Sequence, residues 1–157
     1  MLKVRLAEQN DYHYFVSDYL SRYGQDQELA HKYATACIDI NRSLMLYLDE
    51  EIIGAMTWSI REKVSLGLVE IIQMTIPKPE NRGKGYGNLL VQHGLKDMES
   101  YFSHKNYELR RVFIGIHGEH LAARNVYKNN GFRVLAEFEN HRRDKLSEFI
   151  YARDFFN

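Results

Sequence analysis

The sequence predicts a single α+β domain, and three observations lead to this class. The chain has 157 residues, which suits one domain with one hydrophobic core. Apolar periodicity changes along it in the order strand, two helices, three strands, helix, strand, helix, two strands. No repeat, low-complexity tract or linker interrupts this order. We therefore expect one domain over residues 1–157, with a mixed sheet.

The N-terminal segment predicts a strand followed by a helix. Residues 2–7 alternate apolar and charged side chains, which is the period of a half-buried strand. Asn10 or Asp11 then offers an N-cap for a helix that runs to about Tyr23. Gly24 is expected to break this helix.

A second helix is predicted over residues 26–43, with the sequence DQELAHKYATACIDINRS. Its apolar side chains recur at three-to-four spacing along one stripe, formed by Leu29, Tyr33, Ala36, Cys37 and Ile40. Cys37 is the only cysteine, which excludes an internal disulfide and favours a reducing compartment. We expect it to be a core residue rather than a nucleophile.

Three strands are predicted next. Residues 44–48 and 52–60 are strand-like runs separated by an acidic turn over residues 49–51, and residues 68–76 form a third run. The two prolines of the chain follow immediately. Because proline cannot donate a hydrogen bond to a sheet, they are expected to end the third strand.

The C-terminal half predicts a helix, a strand, a short helix and a hairpin. Helical spacing of apolar residues extends from Tyr86 to Phe102, and residues 110–118 alternate as a strand does. Residues 120–130 predict a short helix that ends at Gly131. Two final strands are expected around a charged turn at residues 140–145.

The segment NRGKGYGNLL joins the third of these strands to the long helix and predicts an anion site. A helix start presents about four unpaired N–H groups and a partial positive charge. Gly83, Gly85 and Gly87 have no side chain to block an approaching phosphate, while Arg82 and Lys84 add positive charge. The alternative is a strand-to-helix turn with no ligand.

Two familiar phosphate loops do not fit this spacing. A Walker A loop requires Ser or Thr after its Gly-Lys pair, and none follows here. A dinucleotide loop requires the interval G-x-G-x-x-G, which differs from that of the three glycines. The phosphate ligand must be of another kind.

Two motifs together resemble the GNAT superfamily of acyl-CoA-dependent N-acyltransferases. Arg82-x-x-Gly85-x-Gly87 resembles the R/Q-x-x-G-x-G/A loop of that family. The segment AARNVYKNNGF is similar to its second block, A-x-x-x-Y-x-x-x-G-F, and the matching positions are Ala123, Tyr127, Gly131 and Phe132. The order of elements also matches, so the resemblance extends over nearly the whole chain.

The resemblance implies a fold and a cosubstrate. The fold would be a mixed, mostly antiparallel sheet of six to seven strands, flanked by about four helices, with splayed central strands. Acetyl-CoA would be held without a metal by its pyrophosphate and its pantetheine arm. The implied pyrophosphate contacts are Arg82, Gly83, Lys84, Gly85, Tyr86, Gly87 and Asn88; the implied pantetheine contacts are Met74, Thr75, Ile76, Tyr127 and His120, the last replacing the family's frequent asparagine.

The resemblance also implies catalytic roles. Tyr127 matches the tyrosine that protonates the leaving thiolate, although a core aromatic is the alternative interpretation. Glu70 stands on the apolar strand LVEIIQM, where a carboxylate is costly unless paired, hydrated or functional. It resembles the glutamate of the histone-acetylating branch and is the first candidate for the general base. His117 and His120 are the next candidates for proton relay.

The predicted function is transfer of an acetyl group from acetyl-CoA to a primary amine by direct attack in a ternary complex. The alternative is a non-catalytic acyl-CoA-binding regulatory module. Lys plus Arg and Asp plus Glu each number 21, so the net charge is zero, which argues against nucleic acid and membrane partners. The start of the chain lacks a signal-peptide pattern, and we expect a cytoplasmic protein. The acceptor amine, the acyl chain preference and a homodimeric state are left open.

Overall fold

A computed structural model describes residues 1–156 as a seven-stranded mixed sheet with four α-helices. The strands are β1 Leu2–Leu6, β2 Arg42–Leu48, β3 Glu51–Ile60, β4 Leu68–Thr75, β5 Arg111–His117, β6 Arg133–Phe138 and β7 Glu148–Asp154. The helices are α1 Tyr12–Arg22, α2 Gln27–Thr35, α3 Tyr86–His104 and α4 Leu121–Asn129. The α+β class and the element order expected from the sequence are confirmed.

The sheet has the strand order β1-β2-β3-β4-β5-β7-β6, and only the central pair is parallel. Strands β4 and β5 pair over just three positions and separate after Glu70, which pairs with Phe113. Beyond this point β4 continues beside β3 to Thr75, and β5 continues beside β7 to His117. The two central strands therefore splay apart, as the resemblance implies, and leave a gap between them.

Each face of the sheet carries its own apolar core. On one face, α3 buries Leu90, Val91 and Leu95 against Val112 and Ile114 of β5, and Tyr127 of α4 belongs to the same cluster. The opposite face is covered by α1 and α2 over the β1–β3 side, where the buried residues are Phe15, Ala34, Cys37, Met45 and Ala55. The gap between β4 and β5 thus faces the core under α3 and α4 on one side of the sheet, and the side that carries α1 and α2 on the other.

A β-bulge in β4 changes which face its side chains point to. Thr57 pairs with Gln73, whereas the next residue, Trp58, pairs with Ile71, so Ile72 is an extra residue on β4. Because successive strand residues alternate between faces, one extra residue reverses the alternation. Gln73 accordingly donates to Thr57 Oγ1 at 2.9 Å on the α1/α2 side. Met74 packs against the α3/α4 core instead.

The second helix differs from its sequence prediction. It ends at Thr35 and continues as one π-helical turn, Ala36–Ile40. Cys37 is buried as expected, but Leu29 is 46% exposed and Ile40 74% exposed, so the predicted stripe is wrong at both ends. The inward face is formed instead by fully buried alanines, Ala30 and Ala34, whose small side chains let α2 lie close to α1.

Asp11 does not cap α1 with its side chain. It accepts two hydrogen bonds from Arg5, at 2.8 and 3.1 Å, and one from Tyr47 Oη at 2.7 Å. The Glu8 N–H also donates to it at 2.8 Å. The predicted N-cap is therefore a buried carboxylate that joins β1, β2 and the turn before α1.

Candidate active site

The gap between β4 and β5 brings together two segments that are distant in sequence. The Tyr127 hydroxyl donates to Met74 Sδ at 3.8 Å, across 53 positions of the chain. Tyr127 is only 1% exposed. Burial raises the pKa of its phenol above the ordinary value, because the ionised form would lose its hydration. The hydroxyl therefore stays protonated at neutral pH beside the free edge of β4.

The short helix α4 fixes Tyr127 through the residues that follow it. Gly131 adopts φ +84°, a left-handed conformation that suits glycine, and the chain reverses there. The Phe132 N–H then returns to the Tyr127 carbonyl at 3.0 Å. The two rings meet edge to face at 5.2 Å. The tyrosine and the Gly-Phe pair of the motif thus form one packing unit.

The glycine loop is open where a phosphate would approach. Gly83 and Gly85 have φ of +74° and +83°, and a Cβ added to either would meet no atom within 4 Å. Gly85 is the N-cap of α3 and offers no side chain to the first N–H groups of the helix. The helix start is therefore uncapped by a side chain and lies beside open space over two glycines, an arrangement that favours an anion.

Gly87 has a different role from the other two glycines. A Cβ at Gly87 would lie 3.5 Å from both Met74 Cε and Val126 Cγ2, so the start of α3 lies close to β4 and α4. Tyr86, the first residue of α3, packs against the α3/α4 core. This packing places the start of α3 next to the gap between β4 and β5.

The Arg82 side chain stabilises the loop by donating hydrogen bonds to two backbone carbonyls at the end of β4. Its Nε donates to the Ile76 carbonyl at 2.9 Å and its Nη2 to the Pro77 carbonyl at 2.8 Å. The guanidinium therefore ties the loop to the end of β4 while remaining close to the helix start. Lys84 is exposed in the same loop.

The sequence analysis missed a hydrogen-bonded bridge between the two motifs. Asn130 Nδ2 donates to Asn88 Oδ1 at 2.9 Å and to the Val126 carbonyl at 2.7 Å. The resemblance implies that Asn88 contacts the pyrophosphate, and its side chain also holds α4 through Asn130. The only signal was an Asn-Asn pair before Gly131, which a helix end would explain equally well.

Residues 74–76 follow the unpaired edge of β4. Thr75 is the last strand residue, and Ile76 lies just beyond it. In such an edge alternate residues direct their N–H and C=O groups outward, so the edge offers amide partners to an extended ligand. Thr75 Oγ1 donates to Gln73 Oε1 at 3.1 Å, which steadies this segment.

Glu70 lies at the closed end of the gap, away from Tyr127. It pairs with the last matched residue of β5, Phe113, and its neighbours Val69 and Ile71 belong to the α3/α4 core. Alternation therefore directs Glu70 to the opposite face. Its Oε2 is 3.1 Å from Arg61 Nη1, and its side chain is 30% exposed. The sequence-predicted acid and base thus approach the gap from opposite faces.

His117 and His120 lie at the open end of the gap. Their rings meet edge to face at 5.1 Å. Burial lowers the pKa of His117, and the positive charges of Arg142 and His120 lower it further, so this imidazole is mainly neutral near pH 7. His120 precedes α4 and is exposed, and its side chain does not cap the helix.

Residues 1–156 contain neither a metal-binding cluster of side chains nor a membrane-spanning helix. Within them, His, Cys, Asp and Glu side chains form no group of three or more that could hold a metal ion. None of the helices in that range is long and apolar enough to cross a membrane.

Comparisons with solved structures find the same fold. An acetyltransferase of the GNAT family from Streptococcus pneumoniae superposes with a TM-score of 0.80 at 15% identity, covering 99% of this chain and 100% of that one. The ribosomal-protein-S18-alanine N-acetyltransferase of Escherichia coli gives 0.76 at 14% identity, covering 100% and 96%. A Bacillus subtilis acetyltransferase in complex with CoA gives 0.72 at 14% identity, covering 99% and 100%.

Sequence comparison gives the family. No curated sequence matches the chain significantly. The family model described as Acetyltransferase (GNAT) family matches residues 7–132, a range that includes β4, the glycine loop, α3, β5 and α4. The chain therefore belongs to the GNAT family of acetyltransferases.

Proposed function

We propose that this protein transfers the acetyl group of acetyl-CoA to a primary amine by direct attack in a ternary complex. The observation that carries the proposal is the buried, protonated Tyr127 hydroxyl at the free edge of β4, next to a phosphate-accepting helix start. Membership of the GNAT family supports the same activity.

The residues of the gap fit acetyl-CoA in two ways. The exposed N–H groups at the start of α3, with Arg82 and Lys84 beside them, would bind the pyrophosphate. The unpaired edge at residues 74–76 would hydrogen-bond the pantetheine amides as an added strand. His120, at the start of α4, would contact the pantetheine arm from the side opposite to β4. A structural neighbour from Bacillus subtilis is a complex with CoA, in keeping with this assignment.

The reaction requires one acyl transfer and three proton transfers, two from the nitrogen and one to the sulfur. The acceptor ammonium loses a proton, for which Glu70 is the proposed acceptor, directly or through water. The neutral nitrogen then attacks the thioester carbonyl carbon, and an N–H near Met74 would stabilise the oxyanion, an effect worth roughly 3–4 kcal/mol of barrier. As the C–S bond breaks, Tyr127 gives its proton to the leaving sulfur. The attacking nitrogen then loses its second proton, which restores the Tyr127 phenol, directly or through water. The products are an amide and CoA.

Two measurements test the proposal. In a thermal-shift comparison, acetyl-CoA should stabilise the wild-type protein, whereas ATP and NAD should not, because the loop lacks the spacing of their binding motifs. In a thiol-release assay with acetyl-CoA, at least one member of a panel of polyamines, amino sugars, peptides and lysine derivatives should accelerate CoA release.

The outcomes separate three interpretations. Stabilisation by ATP or NAD without stabilisation by acetyl-CoA would contradict the cosubstrate. Stabilisation by acetyl-CoA with no release for any amine would favour the non-catalytic acyl-CoA-binding module. Amine-dependent release would establish the transferase.

A further inference from the structure

We propose that Glu148 and Gly115 form the site that binds the acceptor's ammonium group. This inference rests on the proposed transferase function and adds to it the class of acceptor: a primary amine that binds as a cation. Neither residue was singled out by the sequence motifs, and both are brought together by the pairing of β5 with β7.

The carboxylate of Glu148 lies directly over a strand position that has no side chain. A Cβ built on Gly115 would be 3.0 Å from Glu148 Oε1 and 3.2 Å from its Cδ. The other carboxylate oxygen, Oε2, is 3.3 Å from His141 Nε2. One oxygen is thus held by the β6–β7 loop, while the other is directed over the glycine.

This position is on the face of the sheet opposite to Tyr127. Val112, Ile114 and Ile116 of β5 are buried in the α3/α4 core. Alternation therefore places Gly115 on the other face, where it is exposed in spite of its position inside the strand. The residues that α1 and α2 bury lie mainly over β2 and β3, so an acceptor can reach Gly115 from solvent.

Gly115 also lies in the open part of the gap, beyond the last residue pair that joins β4 to β5. The last residue of β5 that pairs with β4 is Phe113, opposite Glu70. Gly115 follows two residues later, about 7 Å further into the open part of the gap. An amine held there would approach the thioester from the Gly115 face, while the Tyr127 hydroxyl protonates the sulfur from the other.

The side chains of the Glu148–Gly115 site favour a cation with an aliphatic stem. The Glu148 side chain is only 23% exposed, and an ion pair is stronger where water is partly excluded. Ile150 Cδ1 would lie 3.6 Å from a Gly115 Cβ and offers an apolar contact to the carbon next to the nitrogen. Acetylation removes the positive charge, so the amide product loses the ion pair and is released.

Steady-state kinetics with the best amine of the panel test this assignment. Glu148→Gln should raise the KM for that amine by about 10- to 100-fold, because a charged hydrogen bond is lost, and should leave the KM for acetyl-CoA unchanged. Gly115→Ala should have a similar effect, because the new Cβ displaces the carboxylate. Glu70→Gln should instead lower kcat, which separates binding of the cation from removal of its proton.

Glu137→Gln is the matched control. Glu137 lies in the same hairpin but pairs with Phe149, whose ring packs on the α4 side of the sheet, so this carboxylate is far from Gly115. Its replacement should change neither KM. An unchanged amine KM in Glu148→Gln would overturn the assignment.

A binding measurement keeps the test independent of turnover. Titration of the CoA-bound, ¹⁵N-labelled protein with n-butylammonium chloride should shift the Gly115 amide resonance, whereas 1-butanol should not. The shift should be absent in Glu148→Gln and retained in Glu137→Gln. If no amine is acetylated but the shift is seen, the transferase proposal fails while the cation site stands; equal responses to amine and alcohol refute the cation site.

Discussion

At the scale of single residues, the chemistry depends on where a side chain is buried. Tyr127 is a phenol enclosed by apolar side chains, and desolvation keeps it protonated at neutral pH. Glu70 and Glu148 lie on the other face, each half-buried and each next to a basic partner. The sheet thus separates the phenol from both carboxylates.

Replacing Tyr127 with phenylalanine should lower kcat by about 100-fold or more, since general acids contribute roughly 10²–10⁴ in rate. The ring would keep its edge contact with Phe132, and the contact to Met74 Sδ is too weak to matter for folding. The dissociation constant of CoA, measured by calorimetry, should therefore stay within a few-fold of the wild type. Undiminished kcat would show that Tyr127 is only a core aromatic.

At the scale of elements, the glycine loop and the start of α3 form the unit that is proposed to bind the CoA pyrophosphate. Gly83 and Gly85 adopt left-handed conformations with free space above them, whereas Gly87 is in van der Waals contact with Met74 and Val126. The first two glycines therefore leave room for a ligand, and the third allows close helix packing. Arg82 fixes the loop by its bonds to Ile76 and Pro77.

Gly85→Ala should weaken CoA binding by at least about 10-fold, because its methyl group enters the space above the helix start. The left-handed backbone costs an alanine about 1 kcal/mol, so the melting temperature should fall by only a few degrees. Gly24→Ala is the matched control, with φ +144° and equally open surroundings in the loop between α1 and α2. Calorimetry should show normal CoA affinity for this control; equal losses in both variants would mean that backbone strain, not the ligand, is responsible.

At the scale of the whole molecule, the fold is held by two apolar cores and a polar junction. The junction contains Asp11, which is 1% exposed and receives bonds from β1, from β2 and from the turn before α1. Burial alone would raise the pKa of Asp11, but the bonds from Arg5, the Glu8 N–H and Tyr47 together bring it below the ordinary value. Its ionised form therefore stabilises the fold.

The sign of this shift gives a pH dependence. Because the folded pKa of Asp11 is depressed, its contribution is complete above the ordinary value of 3.8 and is lost as the pH falls through the lower folded value. Asp11→Asn should lower the free energy of unfolding by about 2 kcal/mol at pH 7, measured in urea. The difference from the wild type should shrink below about pH 4. Asp49→Asn removes an exposed partner of the N-terminal amine and is the control, since it should change stability little at either pH. If the stability difference between Asp11→Asn and the wild type were the same at pH 7 and below about pH 4, the pKa assignment would be contradicted.

The sequence by itself determined the fold class, the family motifs and the position of the glycine loop at a helix start, because these depend on local patterns. Glycines at a helix start, a tyrosine four residues before Gly-Phe, and the alternation of strands all act within a few residues of one another. Only the tertiary structure decided how distant segments meet. A single extra residue, Ile72, turns Gln73 to the opposite face from Val69 and Ile71, and the pairing of β5 with β7 places Glu148 over Gly115. Such contacts depend on strand register, which is set by the packing of the whole sheet and leaves no periodic signal in the chain.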